Sequence, residues 1–130
     1  MEIISISLDK DELERLNIIQ NNLGYTSRSK MLRSTIESLL NEFQTIESIH
    51  GNNEAVLIIT YKENEKLNVS NILHEFENSI RTTIHRHHSH KCLDIIDINS
   101  DSSVIKELFK RLKHSKSIKT ANLVILGESK

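Results

Sequence analysis

The sequence predicts an α+β fold in two parts, a strand-helix-helix unit followed by a domain of βαββαβ order. Three observations predict it. Apolar residues alternate with period two at the N-terminus, recur at helical spacing up to Phe43, and then form six further segments of one period or the other after residue 53. The 130 residues include no proline and only three glycines, which favours long regular elements over irregular loops. Gly51-Asn52-Asn53 is a clear loop signal and falls between the parts.

Residues 1–8, MEIISISL, point Ile4, Ile6 and Leu8 one way and Ile3, Ser5 and Ser7 the other, the pattern of a half-buried strand. Asp9 to Glu12 reads as a capping box. Leu13, Leu16, Ile19 and Leu23 then mark one helical face, and Gly24 supplies a C-terminal stop. Thr26 or Ser27 can cap a second helix that buries Met31, Leu32, Ile36, Leu39, Leu40 and Phe43. Such a unit has too little apolar area to close a core alone. Two copies whose strands pair and whose helices interlock would solve this.

Residues 44–53 read as a joint, separating residues 1–43 from a second domain over 54–130. In that domain the spacing predicts a strand over 54–61, a helix over 68–79, strands over 80–90 and 92–99, a helix over 102–114 and a strand over 119–126. The order matches a ferredoxin-like (ACT-like) layout, an antiparallel sheet with both helices on one face.

Composition narrows the function. Hydrophobic residues make up 37% and charged residues 27%, a globular balance. A net charge of −1 gives no global field to draw in nucleic acid or membrane. No run of 18 apolar residues occurs, so no membrane span is expected. The start lacks a charged region followed by an apolar one, so no signal peptide is expected. A lone cysteine, Cys92, excludes an internal disulfide framework and suits a reducing, cytoplasmic setting. No phosphate loop, nucleophile elbow or HExxH motif appears, so no enzyme is predicted.

The seven histidines are the anomaly, because His85, His87, His88 and His90 fall within six residues, next to Cys92. In a strand, His85 and His87 project on one face, side by side. A short turn would bring Cys92 back beside them. Two imidazoles and a thiolate suit zinc, copper or nickel rather than magnesium or calcium. His74, on the preceding helix, can add a fourth ligand from another chain. His88 and His90 read more simply as exposed turn residues, and His50 and His114 as surface residues.

These residues carry a resemblance. The stretch IISISLDKDELERLNIIQNNLGYTSRSKMLRSTIESLL resembles the ribbon-helix-helix domain of the nickel-responsive regulators called NikR. His74-Glu75, the 11-residue step to His85-Arg86-His87, and Cys92-Leu93-Asp94-Ile95 resemble that family's metal-binding half. The resemblance covers nearly the whole chain. It implies a homotetramer, a dimer of dimers, with one Ni(II) per subunit in a planar site. His85, His87 and Cys92 would come from one chain and His74 from another. Planar N₃S coordination suits Ni(II) or Cu(II) and not zinc.

The sequence departs from the family pattern in three places. The turn before Cys92 is one residue shorter, which opens a role for His88 or His90 in place of a family ligand. The segment from Tyr61 to His74 lacks about one helical turn. Lys30 and Ser34 stand where the family often has acidic residues that help bind a second cation.

The resemblance also implies how double-stranded operator DNA would be read. Ile3, Ser5 and Ser7 take the family's base-contacting positions on a two-stranded ribbon in the major groove. Serine pairs with any base and isoleucine meets only a thymine methyl, so this ribbon discriminates weakly. Arg28, Lys30 and Arg33, early in the second helix, can grip phosphate. Residues 1–43 nevertheless carry five Lys/Arg against seven Asp/Glu, so the non-specific attraction is modest. Two other functions compete: a ribbon-helix-helix regulator that senses copper, cobalt, zinc or a small molecule, and a metal-buffering protein with no DNA role.

Overall fold

The computed structural model describes residues 1–129. The chain divides into two compact units, Met1–Gln44 and a second that begins at Thr45.

The first unit holds helices α1 (Lys10–Asn22) and most of α2 (Arg28–Ser48). The capping box forms: the Asp9 carboxylate accepts from the Glu12 N–H at 2.8 Å, and the Glu12 carboxylate accepts from the Asp9 N–H at 3.0 Å. Gly24, at φ +73°, takes the left-handed position just past α1 that costs glycine least. Ser27 Oγ accepts from the Lys30 N–H at 3.1 Å and opens α2. That helix runs on to Ser48, so the first five residues of the expected joint are helical.

The strand expected over residues 1–8 is absent, which corrects the predicted topology: this unit is helical only. A strand exists by its ladder, and no other described segment of the chain pairs with these residues. The predicted burial is not met within one chain either. Met31, at 3% exposure, is the only buried residue of this unit, whereas Leu39 and Phe43 are 63% and 60% exposed.

The second unit is a four-stranded antiparallel sheet, β1 (Asn52–Lys62), β2 (Ile80–His88), β3 (Lys91–Asp101) and β4 (Thr120–Glu128), in the order β2-β3-β1-β4. With α3 (Lys66–His74) and α4 (Ser102–His114) this is the expected βαββαβ order. Burial alternates along β1 and β3, so Ala55, Leu57, Ile59, Ile96 and Ile98 share one face. On them pack Ile105, Leu108, Phe109 and Leu112 of α4 and Val69 of α3. The opposite face is uncovered and exposes Ile84, Val124 and Leu126. The helix predicted over 68–79 stops at His74, because the Glu75 and Phe76 amides bond to Ile72 and Leu73, three residues back, and tighten the last turn. Phe76 then turns toward the core. Among the described residues, no helix is long and apolar enough to cross a membrane.

Candidate metal centre

The β2–β3 hairpin positions the predicted ligands. Its two-residue turn is Ser89-His90, both with positive φ (46° and 67°). Such tight hairpin turns usually use Asn-Gly, because β-carbons resist the left-handed region. Here the His90 ring is tied instead to the Glu63 carboxylate at 2.8 Å, and the Glu63 N–H donates to the His90 carbonyl at 2.8 Å. The short turn sets the register, in which His87 lies opposite Cys92 and His85 opposite Asp94. All four therefore share the helix-side face of the sheet.

His85 is oriented from behind. Its Nδ1 lies 2.5 Å from Asp94 Oδ1, and the Tyr61 hydroxyl donates to Asp94 Oδ2 at 2.9 Å. Asp94 is almost fully buried, its side chain 6% exposed, and both its oxygens are partnered. Burial, and then the hydrogen bond to Asp94, push the Tyr61 hydroxyl well above the usual tyrosine range, so it remains a donor. An ionised Asp94 accepts at Nδ1–H and leaves the His85 Nε2 lone pair as the donor to a metal. His87 is held differently: its Nε2 lies 3.3 Å from Glu63 Oε1. That arrangement leaves Nδ1 for a ligand, or requires Glu63 to release Nε2. The bonds to His90 and His87 hold the Glu63 carboxyl below its ordinary range.

Cys92 is a buried free thiol beneath the hairpin. The hairpin thus assembles two imidazoles and one sulfur at one end of a single face, a donor set that fits a nitrogen- and sulfur-loving divalent ion. The fit is incomplete in one chain. Among the described residues, no three His, Cys, Asp or Glu side chains converge closely enough to hold a metal ion. His74, the last residue of α3, is 76% exposed and pairs with Glu77 at 3.0 Å. His88 faces the other side of the sheet, opposite Lys91.

Of the predicted DNA contacts, Ile3, Ser5 and Ser7 lie in the segment without a strand, and all are exposed. Lys30 and Arg33 are exposed on α2. Arg28 opens α2, and its guanidinium donates to Asn17 Oδ1 of α1 at 2.8 Å, joining the two helices.

Sequence reasoning missed Asp94, Tyr61 and Glu63. Asp94 carried a signal, since it stands two residues after Cys92 in a strand and so shares its face. Tyr61 and Glu63 carried none, because their role depends on the pairing of β1 with β3 and on the turn.

Residues 54–126 match the family model described as the NikR C terminal nickel binding domain. A protein of Methanococcus maripaludis strain C5, provisionally named a nickel-responsive regulator, is 34% identical over 132 aligned positions, covering 97% of this chain and 92% of its own. Relatives with the same provisional name in Methanococcus vannielii and Methanococcoides burtonii are 33% and 30% identical over 97% and 92% of this chain, and 92% and 89% of their own. Among solved structures, an uncharacterized protein of Thermotoga maritima superposes with a TM-score of 0.54 at 16% identity, over 58% of this chain and 98% of its own. The ACT domain of a GTP pyrophosphokinase from Chlorobium tepidum does so with a TM-score of 0.50 at 13% identity, over 56% of this chain and 99% of its own. The second of these likenesses gives the second unit an ACT-like fold. With a nickel-binding-domain match over more than half its length and relatives at 30% identity or more along nearly all of it, the chain belongs to the NikR family.

Proposed function

We propose that this protein is a nickel-responsive, DNA-binding transcription regulator that works as a homotetramer. The observation that carries the reading is the hairpin of β2 and β3. It sets His87 opposite Cys92, fixes His85 through Asp94, and lies at the sheet edge, where β2 has a neighbour on one side only. His85, His87 and Cys92 would hold one Ni(II) per subunit, with the partner subunit's His74 as the fourth ligand. Bound nickel supplies a cross-link between subunits. The exposure of His74 leaves it open to a neighbouring subunit, as a shared site requires.

The first unit supports the same assembly. Its uncovered Leu39, Leu40 and Phe43 need a partner, and so does a segment 1–8 that has no ladder. In a dimer the two segments would pair into a ribbon that presents Ile3, Ser5 and Ser7 to the major groove, while Arg28, Lys30 and Arg33 lie near phosphates. Metal affinity and assembly are then linked, each strengthening the other.

A subunit-mixing experiment tests this. His74→Ala and Cys92→Ser proteins each lack a complete site. After verified subunit exchange, mixed tetramers should recover a thiolate-to-Ni(II) charge-transfer band that neither parent shows, together with nickel-dependent operator binding in a gel shift. Exchange without recovery would confine the site to one chain and remove the cross-linking mechanism.

A further inference from the structure

One end of the uncovered sheet face concentrates positive charge. Lys62 of β1 lies directly opposite Lys91 of β3, and Lys91 lies opposite His88 of β2. Arg86 projects on the same face, two residues before His88. On the far side, the Lys119 N–H donates to the Thr60 carbonyl at 2.8 Å and brings Lys119 to the start of β4. A row of cationic side chains, Arg86, Lys91 and Lys62, therefore crosses β2, β3 and β1, over roughly 10 Å at the usual interstrand spacing, with Lys119 just before β4. Like charges directly opposite each other weaken a sheet. Among the described residues, none of Lys62, Arg86, Lys91, Lys116 and Lys119 is in an ion pair. Folding does not call for this arrangement, since 18 Asp and Glu were available to the sequence.

The five cations line one cleft of about 1070 Å³, and Glu65 is the only carboxylate in its wall. The cleft is large enough for a small organic molecule. Leu93, Ile95 and Ile118 also line it, and the Thr60 and Thr120 hydroxyls, bonded to each other, sit among them. A bare row of lysines on a convex surface would suit a nucleic-acid backbone. A concave cleft with apolar walls and a cationic rim suits a small molecule that has both an apolar body and several negative charges. We infer that this cleft binds a small oligoanion, a polyphosphate or polycarboxylate compound with an apolar portion, as a second ligand of the protein. His87 and Cys92 also border the cleft, but by strand alternation their side chains belong to the other face of the sheet, so the anion site is distinct from the metal donors.

The test uses the full chain stripped of metal on a chelating resin, so that no probe can bind by coordinating nickel. Its result is therefore independent of the nickel reading. Isothermal titration with adenosine triphosphate, tripolyphosphate and citrate separates phosphate from carboxylate recognition, and the apolar contribution shows as ATP binding more tightly than tripolyphosphate. Saturable binding is expected, falling at least tenfold in Arg86→Gln/Lys91→Gln and weakening with added salt. A Lys106→Gln/Lys110→Gln control on α4 should bind as the parent does. Thermal unfolding of both variants checks that they fold, and Lys62→Gln with Lys119→Gln gives a second pair should the first be unstable. No saturable binding of any probe, or equal loss in the α4 control, would overturn the assignment. Binding of unrelated duplex DNA through the same residues, with none of the small probes, would overturn it too.

Discussion

The two units of this chain solve the burial problem in opposite ways. From Thr45 onward, β1, β3 and α4 close a core in which Leu57, Ile59, Ile96, Ile98, Leu108 and Leu112 are fully buried. The first unit has similar apolar residues at helical spacing, yet buries only Met31. The difference is topological. Four strands and two helices form two layers that cover each other, whereas two helices joined at Gly24 leave one apolar side open. The sheet unit can therefore hold side chains in fixed register, which a metal site needs. The helical unit leaves an apolar side exposed, and in the proposed assembly covering that side is how a signal would reach DNA.

The largest expected effect tests this contrast directly. A fragment of residues 1–44 should be unfolded when dilute and should gain helix, by circular dichroism, with rising concentration. A fragment of residues 45–130 should show a cooperative unfolding transition independent of concentration. A folded monomer of the first fragment in sedimentation would remove the distinction. Leu39→Asp in the full chain should abolish assembly through this unit, because a charge cannot be buried unpaired in the shared core.

The same contrast explains what the sequence made legible. Both helices of the first unit were readable from local chemistry: Asp9 and Glu12 cap α1, Gly24 ends it, and Ser27 opens α2. The alternation over residues 1–8 was equally clear as a pattern, but a strand is a property of a pair, and no described segment of this chain pairs with it. In the sheet unit, period-two burial in β1 and β3 and the bounds of α4 followed directly from the residues. His85, His87 and Cys92 were legible because alternation puts them on one face. Glu63 was not, because it meets His87 and His90 only after β1 and the hairpin turn come together.

Truncations in the two cores should differ next. Leu57→Ala or Leu108→Ala, both fully buried, should lower stability by about 2–5 kcal/mol through lost burial and the cavity left behind. Leu39→Ala should change the stability of a monomer little and weaken the dimer instead. Chemical denaturation at two protein concentrations separates these outcomes: the Leu57 effect should not depend on concentration, and the Leu39 effect should.

Within the site, Asp94→Asn should sharpen the role of register. Asparagine keeps the shape but not the charge that fixes the His85 tautomer. Loss of such a partner behind a metal-bound histidine typically costs about 10- to 100-fold in affinity. Nickel titration in competition with a chelator should show this loss with the thiolate band retained. An unchanged affinity would mean that Asp94 orients His85 for packing only.

The smallest effect concerns the acid limit of the sheet unit. Asp101 caps α4, accepting from the Ser103 hydroxyl at 2.5 Å and from the Ser103 N–H at 2.9 Å. Those two bonds, the hydroxyl first, hold its carboxyl below the ordinary aspartate range. A carboxyl lowered in the folded state adds stability that is fully present above its unfolded pKa, near 4, and is lost as pH falls through the lower folded value. The α4 face it caps carries Ile105, Leu108, Phe109 and Leu112, so fraying there would reach the core. Asp101→Asn keeps a capping acceptor but removes the charge, and should unfold with a shallower dependence on pH below 4 than the parent. Asp101→Ala removes the cap and should be less stable than the parent at pH 7, with the gap narrowing in acid. Thermal melts of the three proteins between about pH 3 and pH 7 span the titration range, and parallel curves for parent and Asp101→Asn would show that the charge on this cap adds nothing to the fold.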